Sequence, residues 1–272
     1  MKVDGHRPVI RVGTLVIVVV MKSLGEDLVL LSVRPGKARI GNTDKIDFGL
    51  MGSELVRLAA LGRVSVADGR IVVLDAAPTG DPELDAALRS LTEARRPPKA
   101  TAWVGKPRRG IRGAYLARLA QGGVIQIEPA KFLGIPIKPL LHLADSGRAA
   151  EARARLDAIA LSSGPVDATQ AAYGGLAHAT GLAGLLYGGR DGRQARQRLA
   201  EVAKGQQAAT STADAVDAAN RATTDAVNRS ATQAAVDAAN AAAIHAAVHA
   251  ANHAAAHAAA HAGGGATGGH GH

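Results

Sequence analysis

The segment Lys106-Pro-Arg-Arg-Gly-Ile-Arg112 places four cationic side chains within seven residues, and a helix-compatible run follows from Ala114 to Leu119. Arg109 and Arg112 are three residues apart, so at helical spacing they share a face. That face lies near an N-terminus whose first N–H groups have no intrahelical acceptor. Guanidiniums beside such a terminus suit an anion, most naturally a phosphate. Further along, Phe132-Leu-Gly-Ile-Pro-Ile-Lys-Pro-Leu-Leu141 is apolar but broken by Gly and Pro. It makes a poor helix and suits a hairpin tip. A phosphate pocket beside an apolar loop is what a reader of anionic lipid headgroups requires. The residues alone also fit plainer roles: a solvated charged face for the arginines, and a packed loop or an oligomer contact for the apolar segment.

A second set of chemically capable residues lies near the C-terminus. His245, His249, His253, His257 and His261 recur at a strict step of four, and His270 and His272 follow. On a helix, i, i+4 histidines can hold a divalent transition metal, as in His-x-x-x-His zinc sites. The row drifts round the helix as a spiral stripe that stays locally paired. The plainer reading is a low-complexity repeat expansion with no selected ligand, and adventitious Ni²⁺ or Zn²⁺ binding is expected under either. No other cofactor is expected. His178, in an apolar run, reads as a core histidine. Enzyme signatures are missing: there is no Gly-rich loop with Lys-Ser/Thr, no Gly-x-Ser-x-Gly and no His-Glu-x-x-His. Asp81 and Asp85 could hold a metal, but their place after Pro-Thr-Gly favours a helix N-terminal charge role. The chain is therefore not expected to be an enzyme.

Composition narrows the partners. The net charge is +9 over 272 residues. Residues 205–272 hold two arginines and four aspartates, so 1–204 carries 30 basic and 19 acidic residues, or +11. An anionic membrane surface, nucleic acid or a phosphorylated ligand would complement it. An Arg-rich proteome of high GC content would produce the same excess. The absence of cysteine excludes disulfides and thiolate chemistry and fits a reducing cytosol. No apolar run reaches the roughly 18 residues of a membrane helix. Val12 to Met21 superficially resembles a signal peptide but lacks a small-residue cleavage site, so secretion is not expected. Met21 reads as the natural start, with 1–20 an upstream extension; the alternative is an extra buried strand.

These residues need elements to position them. Residues 24–33 suit a strand or a buried helix, and Arg34-Pro-Gly-Lys37 a turn. Phe48 to Leu61 predicts a helix with Leu50, Leu55, Leu58 and Leu61 on one side, capped by Gly62. Asp68-Gly69 between Val64-Ser-Val66 and Ile71-Val-Val-Leu74 predicts a hairpin. Ala77-Pro-Thr-Gly-Asp81 leads into a helix through Leu84, Leu88 and Leu91, which Arg95-Arg-Pro-Pro98 stops. Val124 to Ile127 starts a second hairpin. Arg148 to Leu161 and Gln194 to Lys204 predict amphipathic helices, and Ala171 to Tyr187 a buried stretch. Beyond 205 alanine dominates, and the units Asp214–Asn220, Ala234–Asn240 and Ala246–Asn252 repeat. Residues 205–262 read as a marginal, solvent-exposed helix and 263–272 as a flexible Gly/His end.

Together these motifs resemble the Golgi phosphoprotein 3 family. The resemblance rests on Leu50-Met-Gly-Ser-Glu-Leu-Val-Arg-Leu-Ala-Ala-Leu-Gly-Arg63, Ala77-Pro-Thr-Gly-Asp-Pro-Glu-Leu-Asp-Ala-Ala-Leu88 and Trp103. It also rests on Arg109-Gly-Ile-Arg112, Leu119-Ala-Gln-Gly-Gly-Val124 and Tyr173-Gly-Gly-Leu-Ala-His-Ala179, all in family order. It implies a mainly α fold, a helical-bundle core with two β-hairpins, one of them touching the membrane, followed by the Ala/His-rich tail. The implied domains are an extension over 1–21, a lipid-binding domain over 22–204 and a low-complexity tail over 205–272. The implied function is that of a non-enzymatic, peripheral adaptor that binds phosphatidylinositol 4-phosphate and retains membrane-protein cargo. The Ala/Arg/Gly bias resembles that of bacterial, actinobacterial-type chains, so the expected place is cytoplasmic, on the inner face of the cell membrane.

Arg109 and Arg112 match the family's pocket arginines. Its other pocket positions hold Met51 and, near the expected tryptophan, Asn42, so half the pocket is missing. Arg39, Lys45 and Arg108 are candidates to compensate. Losing one charge-assisted phosphate contact, worth about 1.5–3 kcal/mol, weakens binding roughly ten- to a hundred-fold. Phe132, Leu133, Ile135 and Ile137 would form the inserting hairpin tip. The alternative is a nucleic-acid-binding or nucleoid-associated protein, disfavoured by the lack of a helix-turn-helix pattern and the scarcity of aromatics for stacking. Homo-oligomerisation is left open.

Overall fold

The computed structural model describes residues 24–33, 43–132, 135–204 and 211–262. Over these residues the chain is mainly helical, with two antiparallel two-stranded hairpins. Arg34–Lys37, Arg39, Asn42, Leu133 and 263–272 lie outside the described residues.

Leu24–Ser32 is a helix, α1, and it is the buried centre: Leu24, Leu28, Val29, Leu30 and Leu31 are all shielded from solvent. Helix α2, Thr43–Ala60, begins five residues before the predicted Phe48. It buries Leu50, Leu55 and Leu58, whereas Leu61 lies beyond its end and is exposed. The end closes as predicted at Gly62: its amide donates to the Ala59 carbonyl at 2.9 Å and the Arg63 amide to Leu58 at 2.9 Å. Strands β1, Val64–Ala67, and β2, Arg70–Val73, pair from Val64↔Val73 to Ala67↔Arg70. Asp68 and Gly69 both have positive φ, 49° and 70°, as a tight Asp-Gly hairpin turn requires.

Helix α3 is Pro82–Thr92, α4 is Ala100–Val104 and α5 is Ile111–Gln121. Then β3, Ile125–Phe132, pairs with β4, Ile135–Leu143. The register runs from Ile125↔Leu143 to Phe132↔Ile135, with an irregularity between Glu128 and Ala130. Pro129 sits there, and Pro136 and Pro139 lie on the other arm. Proline donates no backbone hydrogen bond, which a two-stranded ribbon tolerates because both strands are edges.

Among the described residues five helices follow the ribbon, and the first four lie between it and Ala203. These four are α6, Ser146–Ala160; α7, Ala168–Ala179; α8, Leu182–Leu186; and α9, Arg193–Ala203. The stretch 171–187, read from sequence as one buried run, is thus two helices parted at Gly181. Helix α1 packs against α2, α5 and α6, and α2 in turn against α3 and α7. Buried Asp27 of α1 ties α6 to this centre, accepting from Arg148 Nη2 at 2.5 Å and Arg155 Nη2 at 2.6 Å.

The last helix, α10, is Ser211–Ala262. The reading of 205–262 as solvent-exposed is corrected over its first part. Ala215, Val216, Ala219, Ala222 and Val227 are buried. The approach is close because the opposing surface is glycine: a Cβ on Gly175 of α7 would lie 2.1 Å from Asn220 Nδ2. The described residues through Val227 form one compact unit and those from Asn228 a second. The domain edge expected at Lys204 therefore falls inside the packed unit.

Candidate functional site

The arginine segment lies between α4 and α5. Gly110 caps α5 with φ +80°, and no side chain caps the helix. Nothing lies within 4 Å of where a Gly110 Cβ would sit, so glycine is needed there for its φ and not for space. The Ile111 amide donates to the Arg108 carbonyl at 3.1 Å, which tightens the entry. Helix α5 starts three residues earlier than the predicted Ala114, and this places Arg112 in its first turn.

Three neighbouring arginines have three different environments. Arg109 is exposed. Arg112 is half-buried, with Nη2 3.6 Å from Asp47 Oδ2. Its Nη1 is buried with no acceptor among the described residues. Arg108 turns inward and grips Glu54 with both terminal guanidinium nitrogens, Nη1 on Oε2 and Nη2 on Oε1 at 2.7 Å. Nη2 also lies 3.6 Å from Glu83 Oε2. Nη1 lies 3.8 Å from the sulfur of buried Met51. So the spot where the resemblance expects an arginine is reached by a guanidinium from another element, but one that Glu54 already holds.

Glu54 is fully buried in the middle of α2. Burial pushes its carboxyl up from 4.5 to about 7, against the opposing pull of Arg108. Buried Tyr115 of α5 lies above it, and burial together with the Glu54 charge raises the phenol. One turn on, Arg57 pairs with Asp81. Asp81 also takes Arg118 Nη2 at 2.5 Å, and it caps α3 by accepting from the Glu83 amide at 3.0 Å. Arg118 Nε reaches Glu26 Oε1 of α1 at 3.1 Å. Burial opposes the charged form of Asp81, yet Arg57, Arg118 and the Glu83 amide outweigh it and hold the carboxyl below its usual range.

The Pro-Thr-Gly-Asp block thus works as a latch that ties α3 to α2 and α5. Thr79 completes it: its hydroxyl donates to Asp85 Oδ1 at 2.7 Å and its amide to the same oxygen at 2.6 Å. Asp81 and Asp85 have the helix N-terminal roles expected of them, and no cluster of three or more acids or histidines placed to hold a metal ion occurs among the described residues.

Arg57, Arg108, Arg112 and Arg118 each meet an acid, drawn from Asp81, Glu54, Glu83, Asp47 and Glu26, whereas Arg109 stands exposed. Sequence reading singled out Arg108, Arg109 and Arg112 and, of the acids, Asp81 as a helix N-terminal charge; it missed Arg57, Arg118 and the acids Glu26, Asp47, Glu54 and Glu83. The signal was present: Glu54 and Arg57 are charged residues three apart on the leucine face of α2, where a charge stays buried only if paired.

The remaining candidates are dispersed. Lys45 is half-buried in the first turn of α2. Phe132, Ile135 and Ile137 lie on the two arms of the β3–β4 ribbon, next to its tip. His245, His249, His253, His257 and His261 all fall on α10. His178 is half-buried on α7, and burial with Lys204 nearby lowers its pKa, consistent with a core histidine. Among the described residues no helix is long and apolar enough to cross a membrane.

No curated protein matches the chain. The family model for Golgi phosphoprotein 3 (GPP34) matches residues 24–219, which runs from α1 through the latch and the arginine segment into the buried start of α10. The chain belongs to the Golgi phosphoprotein 3 family.

Proposed function

We propose that this protein is a non-enzymatic, peripheral membrane adaptor that binds anionic phospholipid headgroups at Arg109 and Arg112. The observation that carries the reading is the contrast among the three arginines. Arg108 is consumed by Glu54, whereas Arg109 is exposed and Arg112 keeps an Nη1 without an acceptor among the described residues. Both flank an uncapped helix start, where amide N–H groups add to the attraction for phosphate. The ribbon tip, with Phe132, Leu133, Ile135 and Ile137, is the segment that enters the bilayer surface. Met51 in place of an arginine, and Arg108 neutralised by Glu54, make this a reader of negative charge with weak selectivity among phosphorylated headgroups. The expected place of action is the inner face of the cell membrane, and membrane-protein cargo is the expected partner.

Vesicle cosedimentation tests the reading. The chain should pellet with anionic vesicles and stay in solution with neutral ones. Arg109→Ala combined with Arg112→Ala should cut anionic binding at least roughly ten-fold, since each charge-assisted contact contributes about 1.5–3 kcal/mol. Tm should barely move, because the Arg112–Asp47 pair is partly exposed and such pairs are worth about 1 kcal/mol or less. Undiminished pelleting of the double variant would rule out this site. Preference for duplex DNA over anionic vesicles would replace the reading with a nucleic-acid one.

A further inference from the structure

The histidine row takes no part in the lipid reading. We propose that α10 carries a binding site for zinc-class divalent transition metals, built from its i, i+4 histidine pairs. His245, His249, His253, His257 and His261 all fall within the helix Ser211–Ala262. Helical geometry then sets what each can share. Four residues advance about 6 Å along the axis and about 40° around it, so neighbours in the row stand one turn apart on one side. Alternate members are about 12 Å and 80° apart, too far to share one ion through metal–nitrogen bonds of about 2 Å. One ion therefore takes one adjacent pair, and five histidines offer two pairs at once.

The chemistry of the stretch points the same way. Between 241 and 262 the only polar side chains are the five histidines and Asn252. The stretch has no carboxylate to hold the imidazoles in their cationic form and no Lys or Arg to repel an incoming cation. A set of nitrogen ligands suits zinc, nickel and copper ions and not the oxygen-seeking magnesium and calcium. The row also departs from the repeat around it. His249 takes the place in its unit that Asp217 and Asp237 take in theirs. Plain copying of the unit would have carried the carboxylate along. Instead an imidazole recurs at a step of four that the repeated unit does not impose.

The test compares the full chain with a permuted variant carrying His249→Ala, Ala251→His, His257→Ala and Ala259→His. The variant keeps five histidines in the segment but has none three or four residues apart. Zinc chloride alone is titrated into each by calorimetry, after circular dichroism without metal has shown the same helix content. The parent should bind about two more zinc ions per chain than the variant, as two adjacent pairs allow, or the same ions roughly ten-fold or more tightly. Zinc should also raise the thermal midpoint of the parent's helix signal, reversibly on adding a chelator, because an ion spanning one turn fixes that turn in advance. Equal stoichiometry and affinity in the two proteins would show that histidine content, and not spacing, holds the ions. That result, or a parent that takes up no zinc, overturns the proposal. Histidines outside the segment are common to both proteins and cancel. No vesicle enters the experiment, so its outcome is independent of the lipid reading.

Discussion

Glu54 shows what a buried charge does to a fold when its partner is good but not sufficient. Arg108 meets it through two nitrogens, yet burial still lifts its carboxyl to about 7. A raised carboxyl holds its proton in the folded state after the unfolded chain has released it. Stability from this group is therefore fullest at or below the ordinary value of 4.5 and falls as pH rises toward about 7. Asp81 and Asp85 have the opposite sign. Their lowered values add stability that is complete above 3.8 and lost as pH falls below it. Glu54→Gln isolates the first effect, because the amide still offers an acceptor to Arg108 and has nothing to titrate. The Tm of the parent should decline between about pH 5 and pH 7.5, and that of Glu54→Gln should decline much less. Parallel Tm profiles for the two proteins would contradict this assignment. None of this chemistry was legible from the arginine segment alone. A sequence displays guanidiniums as a cluster, whereas their availability depends on acids supplied by α2, the latch and α1.

At the scale of elements, the sequence was readable wherever one residue dictates a conformation. Asp68-Gly69 makes the turn it predicts, Asp81 caps α3, and the leucine spacing of 84, 88 and 91 faces inward. It was least readable where burial comes from many small contributions. Alanine carries little apolar area, so Ala215, Ala218, Ala219 and Ala222 give no hydrophobic stripe that stands out from the repeats after them. They are buried nonetheless, because Gly175 and Gly52 present surfaces flat enough for a backbone to approach. Truncation reads this directly. Ending the chain after Val227 should leave Tm within a few degrees of the full protein, since the packed unit stays whole. Ending it after Lys204 should lower Tm much further, because α2 and α7 lose the surface that covers Gly52 and Gly175. A protein ending at 204 that matched the one ending at 227 would show that the start of α10 adds nothing to the fold.

For the molecule as a whole, the +11 borne by 1–204 has to be set against the pairing seen at the site. The arginines of the latch are matched charge for charge, so they contribute little to the field outside. On the proposed reading, attraction to a membrane rests on Arg109, Arg112 and cations spread over the surface. Such long-range attraction is screened within about 8 Å at physiological ionic strength. Association with anionic vesicles should therefore weaken steadily as salt is raised from low to physiological levels. Salt-indifferent association would assign the affinity to the ribbon tip alone. The repeat in α10 has a different consequence, and it concerns descent. Its first copy, Asp214–Asn220, packs into the folded unit, while the residues of Ala234–Asn240 are exposed. A gene encoding near-identical alanine-rich units gains and loses copies readily by replication slippage. Each such event lengthens or shortens a helix beyond the buried residues at its start. Natural selection for folding can act on the first copy and is blind to the number of later ones, which leaves that end of the protein open to new chemistry.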